Sequence, residues 1–83
     1  MKQPIEVRHD LEADAYDVRY STAVRAKGVF VDPAGEVMAD LDAAGDVIGI
    51  EVLTLDSETA PFLGAFVARH ELSLPPQITN PAA

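Results

Sequence analysis

Residues 36–55 read EVMADLDAAGDVIGIEVLTL, and the fold turns on them. Val37, Ala39 and Leu41 alternate with Met38 and Asp40, and Ile48, Ile50 and Val52 alternate with Gly49 and Glu51. A period of two is the spacing of strands with one buried face. Between the runs, Asp42-Ala43-Ala44-Gly45 supplies a carboxylate that bonds its own backbone and a glycine that accepts positive φ. The stretch is therefore expected to be a β-hairpin.

Working outward toward the N-terminus, the same period recurs. Ile5 to His9 is expected to be a first strand, at an edge where Pro4 loses no ladder bond. After the polar turn Asp10–Asp14, Tyr16, Val18 and Tyr20 share a face opposite Asp17 and Arg19, which completes another hairpin. Val24 to Val31 is expected to be the remaining strand, with Gly28 as a candidate bulge because apolar groups fall on both of its faces. Asp32-Pro33-Ala34-Gly35 then has the residue order of a type I turn.

Beyond Leu55 the period lengthens. Asp56-Ser57-Glu58-Thr59 offers capping oxygens and Pro61 suits a first helical turn, so a helix is expected to about Leu72. Phe62, Leu63, Phe66, Val67 and His70 fall on one stripe of it. Pro75 and Pro76 end it, and residues 75–83 are expected to form a flexible proline-containing tail after a single domain spanning 1–74. The fold class that results is α+β: a five-stranded antiparallel meander with one C-terminal helix packed on one face.

One helix leaves the second face of such a sheet uncovered. Arg8, Asp17, Arg19, Asp40 and Glu51 are expected there beside Phe30, Met38, Val47 and Leu53, an apolar content that points to a homodimer.

Composition bounds the function. The 83 residues carry 14 acidic against six basic side chains, a formal charge of −8, whose field repels nucleic-acid phosphates and anionic membranes. With no cysteine there is neither a disulfide framework nor a thiolate metal site. The first residues, MKQPIEVRHD, lack the apolar middle of a signal peptide, so a soluble cytoplasmic protein is expected.

Two clusters invite a chemical reading. Asp40-Leu41-Asp42-Ala43-Ala44-Gly45 with Glu51 fits most of a calcium-loop pattern, but Ala44 removes an oxygen ligand and the flanks alternate as strands where that loop needs helices. His9, Asp10, Glu12, Asp14 and Asp17 combine imidazole and carboxylates, yet carboxylates this close in a turn ordinarily cap backbone N–H groups. No serine stands in a nucleophile elbow, and the glycines form no phosphate-binding loop. The chain is therefore expected not to be an enzyme, with no catalytic, cofactor or metal residue assigned. A weak divalent or ligand site on Asp10, Asp14, Asp40 and Asp42 is the alternative.

The block from His9 to Tyr20, HDLEADAYDVRY, resembles the opening of the small family catalogued as domain of unknown function 2283. Ala39-Asp40-Leu41-Asp42 with Gly45, and the run from Val47 to Leu53, resemble that family's second half. The resemblance covers roughly residues 5–55. His9 and Asp17 stand where the family usually has aromatics, and Leu11 where it often has proline. The resemblance implies a compact, self-associating sheet-and-helix domain with no established activity. It also implies an antitoxin-like role as an alternative, since members are sometimes encoded beside small toxin-like proteins.

Overall fold

The computed structural model describes residues 1–78 and is an α+β fold. Strands β1 (Glu6–Asp10), β2 (Ala15–Arg19), β3 (Lys27–Phe30), β4 (Val37–Leu41) and β5 (Val47–Val52) form one antiparallel sheet, followed by helix α1 (Ala60–Arg69). The strand order is β1-β2-β5-β4-β3. The β3-β4-β5 part is a meander, but β2 pairs with β5 and not with β3, so the connectivity is that of a Greek key. The physical reason lies in residues 20–26, which are too long for a tight hairpin and long enough to cross the roughly 14 Å spanned by three strand spacings. Strand β5, apolar at nearly every position, takes the centre, where both edges are paired and burial is deepest.

The expected helix-facing pattern holds for Val18, Tyr20, Val37, Ile50 and Val52, which meet Leu63 of α1 in the core. Each of the fully buried aliphatic side chains among them, Val18, Val37, Ile50, Val52 and Leu63, contributes about 1.5–3 kcal/mol. Phe66 and Val67 complete the helix's inner stripe, whereas Phe62, expected on it, is 45% exposed. The ladder shifts between Asp40 and Leu41: Asp40 faces Gly49 but Leu41 faces Val47, so β5 carries one extra residue there. That bulge moves Val47 into the core, and it replaces the bulge expected at Gly28, where β3 and β4 keep a regular register. Val24 lies outside β3 and is exposed.

Helix α1 ends three residues earlier than Leu72. Glu71 adopts φ 54°, its N–H bonds Ala68 O at 3.3 Å, and the N–H of Leu72 bonds Val67 O at 2.9 Å. This is the reciprocal pair of a Schellman motif with glutamate at the left-handed position. The turn redirects the chain so that Leu72 bridges Lys2 in parallel, while Lys2 N–H bonds Glu71 O and Ser73 N–H bonds Lys2 O. Leu72 and Ile78 then enter the core and Pro75 is buried. Residues 75–78 are thus part of the packed domain, beyond the boundary expected at 74. The remainder of the expected tail, 79–83, lies outside the described residues.

Tyr20 ties this C-terminal segment to the sheet, since its buried hydroxyl donates to Ser73 O at 2.8 Å. Burial pushes its phenol pKa up to about 12. An unfolded chain would lose that proton near pH 10, so the unfolded state binds fewer protons between about pH 10 and 12 and stability falls as pH rises through that window, by no more than ~2–3 kcal/mol. Tyr20→Phe is expected to remove this alkaline phase from urea melts taken at pH 9 to 12. At neutral pH it is expected to cost about 1 kcal/mol through the stranded Ser73 carbonyl.

Candidate functional site

The sheet face away from α1 carries a charged array set by strand order. The register places Arg19 opposite Gly49, Gly49 opposite Asp40, and Asp40 opposite Gly28, one row running across β2, β5, β4 and β3. Arg19 and Asp40 are therefore two strands apart, about 9–10 Å between backbones. The guanidinium spans that gap by lying over Gly49, where any Cβ would collide with it. Its Nη2 donates to Asp40 Oδ2 at 2.7 Å and to Asp17 Oδ1 at 2.8 Å, and its Nε to Asp17 Oδ1 at 3.1 Å.

Arg25 repeats the device from the other side. Its guanidinium covers Gly28 as Arg19 covers Gly49, and its Nε donates to Asp40 Oδ1 at 2.9 Å. Each oxygen of the buried Asp40 is thus held by a different arginine. Burial by itself would lower the Arg19 pKa, but the hydrogen bonds and charges of Asp40 and Asp17 outweigh it, and the guanidinium stays protonated with its pKa raised. Two arginines and two aspartates neutralise one another here. Chemically the array is a clamp whose carboxylates are already engaged.

The turn carboxylates Asp10 and Asp42 are likewise occupied, each by its own backbone. Asp10 Oδ1 accepts from Glu12 N at 3.0 Å and Ala13 N at 3.2 Å; Asp42 Oδ1 accepts from Ala44 N and Asp46 N, both at 2.9 Å. Gly45, at φ 88°, closes the β4–β5 turn. Asp14, itself at φ 52°, pairs with His9 Nε2 at 2.8 Å, and the His9 ring stacks on Tyr16 at 4.2 Å. His70 packs against Phe66 in the helix's last turn, with ring centroids 4.4 Å apart.

Because the sheet is antiparallel, Asp10 and Asp14 lie at the end marked by the Tyr16–Val52 pair, whereas Asp42 lies at the opposite end, beyond Leu41 and Val47. The structure therefore does not bring Asp10, Asp14, Asp40 and Asp42 together, and among the described residues no three His, Asp or Glu side chains are grouped to hold a metal ion.

Apolar surface is what remains uncommitted. On the open face Phe30 is 68% and Leu53 55% exposed. A groove of about 510 Å³ runs between β3 and α1, with Val29, Val31, Phe62, Phe66 and Arg69 in its walls. A smaller cleft of about 280 Å³ at the sheet's end lies between Tyr16, Leu55 and Ile78, with Asp14 at its rim. Sequence reasoning placed Arg19 and Asp40 on one face but missed their pairing. The signal for it was Gly49, an isolated glycine inside a strand pattern, which marks a close approach.

No family model, curated protein or solved structure matches the chain. Among the described residues no helix is long and apolar enough to cross a membrane.

Proposed function

We propose that the protein is a non-catalytic interaction module of the cytoplasm that associates with itself, its working form a homodimer, and that it is a relative of the family its residues 5–55 resemble. The observation that carries this reading is the apolar surface beside a finished core: Phe30, Leu53 and Phe62 stay exposed, while among the described residues every buried polar side-chain atom has a hydrogen-bond partner. The carboxylates best placed for chemistry, Asp17 and Asp40, are spent on Arg19 and Arg25, which supports a structural role for them.

Sedimentation equilibrium over a hundredfold range of concentration, with and without millimolar calcium, magnesium, manganese or zinc, tests the proposal. A dimer mass that is indifferent to the ions is expected. A monomer at tens of micromolar would overturn the proposal, and a dimer formed only with a divalent ion would replace it with a metal-dependent assembly.

A further inference from the structure

We infer that a second copy of this chain docks through the free edge of β3, in a two-fold antiparallel pairing centred on Val29. The inference rests on the self-association proposed above and names the surface responsible. The N–H of Val31 bonds Val37 O, so residues 27, 29 and 31 turn their backbone groups toward β4. Gly28 and Phe30 therefore point their N–H and C=O outward, away from β4.

This edge is its own complement. When two copies meet antiparallel about Val29, Gly28 of each faces Phe30 of the other, and both become hydrogen-bonded pairs. Centring on Gly28 or on Phe30 instead would pair residues outside Lys27–Phe30, where the strand has ended. The chosen register also sets an aromatic ring against a glycine, the one residue with no side chain to obstruct it. The Arg25 guanidinium that covers Gly28 then meets the second copy's Phe30 as a cation–π partner. On the other face, the second copy's Val29 comes to the mouth of the groove between β3 and α1, next to Phe62.

Charge singles out the same edge. Two bodies of −8 repel, and they repel least where their few cations are gathered. Of the six basic residues, Lys27 lies on β3 and Arg69 lines the groove, neither of them part of the Arg19–Arg25 array, and Arg25, which shares Asp40 with Arg19, lies just before the strand. The opposite edge, β1, is bordered on its open face by Glu6, Arg8 and Asp10 and has Pro4 before it, the devices that keep a strand edge unpaired.

The register is tested directly by Val29→Cys. Directly opposite residues of a non-hydrogen-bonded pair have Cα atoms about 4.5 Å apart, within disulfide range, and the chain has no other cysteine. Val29→Cys at micromolar concentration is expected to form a disulfide-linked dimer under mild oxidation, at a rate at least tenfold above Thr22→Cys, an exposed control remote from β3. Phe30→Glu, checked for folding by far-UV CD, is expected to weaken dimerisation about tenfold or more in sedimentation equilibrium.

A wild-type dimer combined with Val29→Cys oxidising no faster than the control would overturn the β3 interface while leaving self-association intact. A wild-type monomer would remove both. Should Phe30→Glu fail to fold, the cysteine comparison decides alone.

Discussion

Ile50→Asp is expected to leave no folded population at neutral pH. Ile50 is fully buried, lies in the central strand opposite Val18 on one side and Ala39 on the other, and contacts the core beneath α1. The substitution removes about 1.5–3 kcal/mol of apolar burial and adds the several kcal/mol needed to bury an unpaired carboxylate. A domain of this size has a total stability near the low end of about 5–15 kcal/mol, so the loss exceeds what it holds. Far-UV CD and a urea melt check the result. Glu51→Asp, one position on but exposed on the opposite face, is expected to stay folded with a change within about 0.5 kcal/mol. If both variants fold alike, the assignment of sheet faces is wrong.

Asp40→Ala is expected to give the second largest effect, a loss of about 2–4 kcal/mol with the fold retained. Asp40 is 6% exposed and holds both arginines, so its removal leaves Arg19, whose side chain is only 24% exposed, with Asp17 as its single anionic partner. Breaking a buried pair by deleting one member costs about 3–5 kcal/mol, and the partial exposure of Arg25 reduces that figure. Urea unfolding measures it, and a double-mutant cycle with Arg19→Ala isolates the pairing, with a coupling above about 1 kcal/mol expected. Gly49→Ala is expected to follow the same direction, because the added Cβ displaces the guanidinium from its path to Asp40. A loss below about 0.5 kcal/mol in Asp40→Ala would mean that both arginines exchange the carboxylate for water without penalty.

The clamp also ties the strands of the open face to one another. Arg25 fixes β4 to the segment entering β3, and Arg19 fixes β2 to β4 across β5. Side-chain bonds therefore reinforce the ladder from which the free edge of β3 projects.

Much of the local structure was legible in particular residues. Alternation around Asp42–Gly45 revealed the β4–β5 hairpin, and Tyr16, Val18 and Tyr20 revealed the inward face of β2. Spacing on α1 placed Leu63, Phe66 and Val67 inward but also Phe62, since a stripe's width does not show where the neighbouring strand stops. The helix end was misjudged because Glu71 holds a left-handed conformation usually left to glycine, so that the chain turns before either proline is reached. The candidate metal carboxylates were visible as residue types, but their separation to opposite ends of the sheet was not.

By itself, the sequence determined the strands and the helix of the described residues, the turns of the three hairpins and the acidic charge, because period, turn chemistry and composition are local properties. Only the tertiary structure decided that β2 lies against β5, that Val47 and Ile78 belong to the core, and that Arg19 reaches Asp40 over Gly49. Each of these depends on which distant segments come to lie side by side. Alternation says which way a side chain points, but it carries no record of the neighbouring strand, and neighbours are chosen by the burial available to the whole sheet.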